Sequence, residues 1–404
     1  RWNPSGELLG ERKGNEANIH FYAGYDLHSQ LSELRRELTE RPAHGERRAV
    51  VLTHDALLMP TLHHIPEKNI NISLGYPLER SLLARLVERM LLVREGMDTQ
   101  GRVRWKPLMD LLRHPYVRML CTAGEHAADT PKLDEQNTGL DTHPLRPFLT
   151  LMERALRKGT RMVDPLERAA DLLDDELGNL DGRPQMEGLT EENGALLEHV
   201  LRVLVADWRE VDTLEALAER LRALCQLLLE HGRHIWPRFP LDAECLARLM
   251  QNVIPELADN ALSREALSLG SLFAILRQSL AEQRVPFEAD PLTGLQILGT
   301  LETRLLHFDR VYMLDLTEDA LPGAPARDPL LPDSLRDMLG LPDSSRRDML
   351  AAHTFHRLIA GAEEVFLYWQ EGVQSTGLLD GKKLRSRFVE EAVWRVEQRE
   401  GRRL

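Results

Sequence analysis

The sequence has few cysteines and no hydrophobic run long enough to span a membrane. Only Cys121, Cys225 and Cys245 occur among 404 residues, and no two of them form a Cys-x-x-Cys pair. We therefore expect no disulfide framework, zinc ribbon or iron–sulfur site within this chain. Few and scattered cysteines are typical of a reducing, cytoplasmic compartment. A transmembrane helix needs about 18 or more consecutive apolar residues, so we also expect no membrane segment.

An excess of positive charge is also missing. The 51 Lys and Arg residues are outnumbered by 64 Asp and Glu residues, which gives a formal net charge of −13. Binding to nucleic acid by bulk charge requires clustered Lys and Arg, so any DNA contact must be local, in a channel. The one basic stretch is residues 381–404, with eight Lys and Arg against four Asp and Glu. Its residues Lys382 and Lys383 are either DNA contacts or part of a solvated helix face.

The length suggests two or three domains, and 43% hydrophobic residues are enough for each to have its own core. The chain begins at Arg1 with neither Met nor an apolar leader, and we interpret it as an internal part of a longer protein. Buried-strand patterns alternate with helical spacing in its first and last parts, whereas the middle part is almost purely helical. We expect a linker over residues 1–16, a split α/β domain over 17–98 and 286–404, and a helical insertion over 99–285. The predicted strands are residues 19–22, 49–52, 70–74, 295–298, 311–314 and 365–369, which implies a parallel sheet covered by helices.

The strand that ends at Asp315 resembles a Walker B strand, in which apolar residues precede a carboxylate that holds Mg²⁺. An acidic residue at a strand end without that role fits the pattern equally well. The phosphate loop Gly-x-x-x-x-Gly-Lys-Ser/Thr occurs nowhere in the sequence, so an ATP site complete within this chain is not expected.

Two further motifs predict structural roles, and not a nuclease or metal site. The Pro-Asp-Ser sequences at Asp333 and Asp343 resemble part of a restriction-type nuclease signature, but no strand with Glu-x-Lys follows either of them. We predict instead that each one caps a short helix. The helical pair His353 and His356 has no evident third metal ligand, so surface or packing roles are favoured.

Residues 295–311, continuing to Leu321-Pro322, resemble motif V and the following strand of UvrD-like superfamily 1 helicases. The variant Gly-Thr-Leu-Glu-Thr-Arg at residues 299–304 is closer to AddB, the nuclease-bearing subunit of AddAB helicase–nucleases, and to its relative RecC. Residues 49–52 with 69–78 resemble the motif IV region, and residues 328–369 resemble the motif VI region. The resemblance covers somewhat under half of the chain. It implies the second RecA-like domain of such a helicase, an α/β fold interrupted by a large helical insertion.

The sequence departs from the helicase pattern at three positions that face the nucleotide in working helicases. His54 stands in place of the motif IV arginine, His307 in place of the motif V glutamate, and Ala360 in place of the motif VI arginine finger. An arginine finger offsets charge on the transferred phosphoryl group, which alanine cannot do. Arg357 is a weaker candidate for that finger. These departures predict a helicase fold that no longer works as a motor.

By the same resemblance, Thr300, Thr303 and Arg304 are expected to contact DNA phosphates, although Arg304 is also placed to pair with Glu302 or Asp309. The implied parent protein processes DNA ends in recombinational repair, with ATP, Mg and an iron–sulfur cluster held outside this chain. The implied partners are single-stranded DNA and a motor subunit of AddA type. Two alternatives remain: the second motor half of an active ATP-dependent helicase, and a helical protein–protein scaffold without DNA contact.

Overall fold

The chain forms two compact units in the computed structural model. The structure describes residues 17–42, 45–122, 145–158, 161–177, 191–233, 235–287, 294–304, 306–323, 330–371, 373–374 and 381–403. Residues 1–75 and 286–404 make up one unit, here called the sheet unit, and residues 76–285 make up the other, the helical unit. The predicted linker over residues 1–16 lies outside the described residues.

The sheet unit is built on six parallel strands, as the sequence pattern predicted. They are β1 (Asn18–Gly24), β2 (Arg48–Leu52), β3 (Ile70–Ile72), β4 (Leu295–Gly299), β5 (Arg310–Leu314) and β6 (Glu364–Gln370). Their order across the sheet is β1-β6-β5-β2-β4-β3, and each neighbouring pair is parallel. The prediction of an α/β fold with a parallel sheet is therefore confirmed.

Both faces of the sheet are buried because successive side chains along a strand point to opposite sides. Val50, Ile297 and Tyr312 pack on one face with the helices Leu27–Glu40 and Leu58–His64. On the other face Val51, Leu298 and Val311 pack with side chains of the helices Ser344–Ala360 and Arg387–Glu400. A strand that is buried on both sides is mostly apolar, which is why residues 49–52 of β2 form a continuous apolar run. Arg48, at the start of β2, is buried too, and its guanidinium is paired with Glu67.

Local signals fix the ends of the helices in the sheet unit. Asp26 accepts a hydrogen bond from the Ser29 backbone N–H, and the Ser29 hydroxyl accepts one from the Asp26 N–H, so the first helix has a capping box. Asp343 caps the helix Ser344–Ala360 as predicted, although that helix is long. The prediction for Asp333 was wrong: Pro332 is the cap residue of the helix Asp333–Met338. The Asp333 carboxylate instead accepts a hydrogen bond from the Ser344 hydroxyl at 2.6 Å.

The helical unit packs its helices around one apolar core that includes the buried side chains of Trp208, Tyr116 and Phe273. Within the described ranges of this unit the only strands are two-residue pairs, Tyr76–Pro77 with Arg284–Val285 and Val103–Arg104 with Met162–Val163. No described helix of either unit combines the length and hydrophobicity needed to cross a bilayer. The α-helices are Leu82–Glu95, Trp105–Leu112, Pro115–Arg118, Arg146–Lys158, Pro165–Leu177, Glu191–Leu204, Leu214–His231, Ile235–Arg238, Pro240–Arg248, Ile254–Ala258 and Leu269–Glu282, with a π-helical turn at Leu249–Val253.

The boundary between the units falls earlier than the sequence suggested. We expected residues 76–98 in the α/β domain because a helix follows the strand at residues 70–74. The helix Leu82–Glu95 belongs instead to the helical unit, where Leu86, Val87 and Met90 lie in the common core. An amphipathic helix packs wherever its apolar stripe finds a partner surface, and periodicity alone does not identify that surface.

We expect the substitution Leu34→Ala to lower the free energy of unfolding of the sheet unit by about 2–5 kcal/mol. Leu34 is fully buried in the helix Leu27–Glu40 against the sheet, so truncation leaves a cavity. Leu339→Ala, at a side chain that is 64% exposed, is the matched control and should change it by less than about 0.5 kcal/mol. Urea denaturation followed by circular dichroism measures both. Equal effects for the two variants would contradict the packing described here.

Candidate functional site

Two neighbouring strands of the sheet send the chain to opposite faces. The connection after β2 contains the helix Leu58–His64, whose Leu58 packs on the face of Val50. The connection after β5 contains the helix Ser344–Ala360, whose Phe355 packs on the face of Val51. Since β2 and β5 are adjacent, a topological switch point lies between their carboxyl ends. In open α/β sheets such a crevice is the usual place for a ligand.

Three charged or ionisable side chains meet at this switch point. His54 follows β2 and Asp315 follows β5, and His54 Nε2 lies 3.1 Å from Asp315 Oδ2. Lys383 Nζ lies 3.6 Å from the same oxygen and 3.8 Å from Asp319 Oδ2. Lys383 is carried there by a chain segment that hydrogen-bonds beside residues 316–318. We call these three residues, His54, Asp315 and Lys383, the switch-point triad.

The carboxylate of Asp315 is held rigidly. Its backbone has φ of 52°, in the left-handed region that aspartate tolerates better than most residues. The Asp315 N–H donates to Gln30 Oε1 at 3.0 Å, and the Gln30 side chain is fully buried. The Asp315 side chain itself is only 6% exposed. A buried carboxylate of this kind needs a compensating charge or hydrogen-bond donors.

The triad supplies that compensation. Burial alone raises the pKa of Asp315, but the hydrogen bond from His54 and the positive charge of Lys383 outweigh it and hold the pKa below its usual value. The carboxylate is therefore ionised at neutral pH and faces an ammonium group of the same chain. The switch point thus has a carboxylate in a Walker B-like position whose charge is balanced internally.

The three members of this triad were candidates in the sequence for separate reasons. His54 stood at a nucleotide-facing position, Asp315 at the end of a Walker B-like strand and Lys383 among the DNA contacts. The structure brings all three together and ion-pairs Lys383 with two carboxylates, so its charge is not free for a phosphate. Lys382 lies in the two-residue strand Gly381–Lys382, and its side chain lies outside the described part of the chain.

A second cluster lies between a loop and a helix of the sheet unit. Because β4 and β5 are parallel, the loop of residues 300–309 must run back across the sheet, and its Phe308 packs on the face that the helix Ser344–Ala360 covers. Between this loop and the helix is a cavity of about 250 Å³. We call it the arginine cleft, and its lining residues are Thr303, Arg304, Leu306, His307, Leu350, His353, Thr354, Arg357 and Leu358.

The cleft is cationic and not neutralised. Arg304 and Arg357 are exposed, and neither forms an ion pair with any residue that the structure describes. Asp309, one of the two expected partners of Arg304, binds Arg47 instead, through the Arg47 N–H at 2.7 Å and its guanidinium at 3.5 Å. Glu302, the other, is not among the cleft residues, and no lining residue carries a carboxylate. Two guanidinium groups are thus left to an external anion.

The Thr303 hydroxyl is engaged within the loop, and the expected contacts of Thr300 and Thr303 with DNA phosphates stay a prediction. Thr303 is 5% exposed, and its hydroxyl donates to the Thr300 carbonyl at 2.7 Å, so the hydroxyl proton is committed to the turn. Thr354 across the cleft similarly donates to the Leu350 carbonyl at 2.9 Å. The N–H groups of the arginine and histidine side chains are therefore the main donors that face the cavity.

The positions that the resemblance linked to the nucleotide fall in two places, with His307 close to the chain at Ala360 and His54 in the triad. His307 lines the cleft and packs beside Gly361, where an added Cβ would lie 3.2 Å from its Nδ1. Ala360 is exposed at the end of the helix Ser344–Ala360 and is not among the lining residues, whereas Arg357, one turn earlier, is. His54 belongs to the switch-point triad.

His353 is a cleft residue that the sequence pattern did not predict. Its i, i+3 spacing placed it together with His356 instead. The structure separates them: His353 lines the cleft, while His356 Nε2 lies 3.2 Å from Glu391 Oε2 on the last helix. One helical turn contributes to two different surfaces, and only the positions of the neighbouring segments decide which residue faces which surface.

We expect Lys383→Met to lower the free energy of unfolding by about 1–3 kcal/mol at neutral pH, because it leaves the buried Asp315 carboxylate without its cation. The folded-state pKa of Asp315 is depressed, so this carboxylate stabilises the fold above its unfolded pKa of about 3.9, and the contribution is lost as the pH falls through the folded value. The difference between wild type and variant should therefore shrink as the pH falls below about 4. Urea denaturation at several pH values measures it.

Lys68→Met is the control for that experiment, since Lys68 is exposed in the same unit and forms no ion pair with a described residue. It should leave the free energy of unfolding nearly unchanged. The double variant Asp315→Asn/Lys383→Met should be more stable than the sum of the two single changes predicts. A Lys383→Met effect of the same size at all pH values would contradict the triad as described.

No protein-family model matches the chain, and no curated protein matches its sequence.

Proposed function

We propose that this chain is a motor-inactive, RecA-like scaffold that holds single-stranded DNA within a DNA-end-processing helicase–nuclease subunit of AddB or RecC type. The observation that carries the proposal is the arginine cleft, with two arginines that no described carboxylate neutralises. Guanidinium groups on an otherwise acidic chain are suited to binding the phosphates of a strand at one place. Arg304 lies both in the cleft and in residues 295–311, which resemble motif V.

The switch-point triad supports the motor-inactive part of the proposal. A working ATP site places cations around the phosphates and leaves the Walker B carboxylate free for Mg²⁺. Here Lys383 already neutralises Asp315, and the sequence has no phosphate loop. Within the proposal, ATP, Mg and an iron–sulfur cluster belong to other parts of the parent protein or to its motor partner. The helical unit, whose sequence lies between β3 and β4, is then the insertion that such helicases carry in this domain.

Exposed hydrophobic side chains within residues 330–350 favour a role in protein binding as well. Residues 330–350 expose the side chains of Leu330 by 90%, Met338 by 82%, Leu339 by 64% and Met349 by 63%. Apolar side chains that are exposed together are typical of surfaces that bind another protein. Within the proposal these side chains contact the motor subunit of AddA type. They equally support the alternative of a protein–protein scaffold that does not touch DNA.

We expect the whole chain to bind single-stranded DNA at low salt, and the double variant Arg304→Ala/Arg357→Ala to bind it more weakly. Each phosphate contact on a single strand contributes about −0.7 to the slope of log K against log salt concentration. The two arginines face one cavity and contact one phosphate between them, so their loss should reduce the magnitude of the slope by about 0.7. Fluorescence anisotropy with a labelled oligonucleotide, over a series of salt concentrations, measures both affinity and slope.

Arg36→Ala/Arg264→Ala is the matched control. It removes the same charge from two exposed arginines outside the cleft that pair with glutamates. It should leave the slope nearly unchanged. Equal weakening by both double variants would mean that DNA responds only to net charge, and an absence of binding at low salt would leave the scaffold alternative in place of ours.

A further inference from the structure

The arginine cleft differs from a channel that would thread a strand. Its volume of about 250 Å³ lies below the 300–1,000 Å³ of pockets that hold drug-sized ligands. The loop of residues 300–309 bounds it on one side and a single helix on the other. Such a volume holds one phosphate group and part of the sugar attached to it, and it does not hold several consecutive nucleotides.

The charge of the cleft exceeds that of an internal DNA phosphate. A phosphodiester carries one negative charge, whereas the cleft presents two permanently charged guanidinium groups, Arg304 and Arg357. Two histidines, His307 and His353, add ring N–H donors and become cationic when protonated. A phosphate monoester carries close to two negative charges at neutral pH and has three terminal oxygens that accept hydrogen bonds. It therefore matches the cleft in both charge and number of acceptors.

We propose that the arginine cleft binds the terminal phosphate monoester of a DNA strand, at a broken or processed end. This inference rests on the proposed function, since it assumes that the ligand of the cleft is DNA. The two guanidinium forks bind the phosphate oxygens, and His307 and His353 donate the remaining hydrogen bonds. The terminal sugar lies against Leu306 and Leu350, which line the same cavity with side chains that are 47% and 46% exposed.

Other small ligands fit the cleft less well. A divalent cation would face two fixed positive charges and no carboxylate among the lining residues. A carboxylate ligand carries a single charge and occupies one guanidinium fork, leaving the second arginine unpaired. A nucleotide base alone would find no aromatic ring to stack on among the lining residues, apart from the histidines.

The test compares one single-stranded oligonucleotide in three forms: with a 5′-phosphate, with a 3′-phosphate, and with hydroxyl groups at both ends. We expect one phosphorylated form to bind the whole chain at least about tenfold more tightly than the unphosphorylated form. The preferred form identifies whether the cleft takes a 5′ or a 3′ end. Inorganic phosphate should compete for the extra affinity, and dimethyl phosphate, a diester with one charge, should compete much less.

Arg357→Lys separates recognition of the monoester from simple attraction. Lysine keeps the charge but lacks the planar fork that binds two oxygens at once. We expect this variant to lose most of the preference for the phosphorylated form, and the control Arg36→Ala/Arg264→Ala to keep that preference. The same preference in Arg357→Lys and in Arg304→Ala/Arg357→Ala would overturn the inference, because the terminal phosphate would then bind elsewhere.

The outcomes also separate this inference from the proposed function. Equal binding of all three oligonucleotides, with salt-dependent weakening in Arg304→Ala/Arg357→Ala, would overturn the terminal-phosphate inference and leave the proposed function standing. Binding of inorganic phosphate in the cleft, without binding of any oligonucleotide, would overturn both the role in DNA and the inference about strand ends.

Discussion

The burial of β2 on both faces and along both edges is the constraint on which the rest of the sheet unit depends. Its five residues lie between β5 and β4, and all of them are buried. Because the neighbours are parallel to β2, their carboxyl ends lie at the same edge of the sheet. This arrangement fixes the distance between Asp315, at the end of β5, and His54, at the end of β2. The apolar packing of a central strand therefore positions polar groups that have no part in that packing.

Asp315 shows what such a position requires energetically. A carboxylate that is almost fully buried costs several kcal/mol unless it is paired and hydrogen-bonded. The chain meets this requirement with a histidine from a neighbouring strand end and a lysine from a segment close to its last helix. At the arginine cleft the opposite holds, since its cations are exposed to solvent and remain charged without a partner. The sheet unit thus contains one site whose charges are satisfied internally and one whose charges are not, and only the second is ready to bind an anion.

The elements of the sheet could be predicted from the sequence, whereas the sites could be predicted only in part. The six strands are short segments, either rich in apolar residues or alternating as in Ile70–Ile72, and this pattern locates them in the sequence. The sequence could not show whether the helix Leu82–Glu95 belongs to the sheet unit or to the helical unit, because its apolar stripe fits either core. The contact between His54 and Asp315 joins residues 261 positions apart in the sequence, and no local pattern encodes it. Arg304 was identified through a motif. His353 and Leu350 become cleft residues only because the helix that carries them packs beside the loop that contains Arg304.

The acidic composition does not prevent the cleft from binding an anion, because most acidic residues are too far from the cleft to act on its ligand. At physiological ionic strength the Debye length is about 8 Å, so most of the charges that make up the net −13 are screened from a phosphate inside the cleft. The phosphate interacts with the residues that line the cavity, and none of those in the cleft is acidic. The net negative charge of the chain still acts at longer range, where it repels the backbone of a long nucleic acid and lowers the rate of non-specific association. An acidic chain with a cationic cleft is thus better suited to holding a particular phosphate than to coating a strand, and its selectivity follows from the contrast between the charge of the cleft and the net charge of the chain.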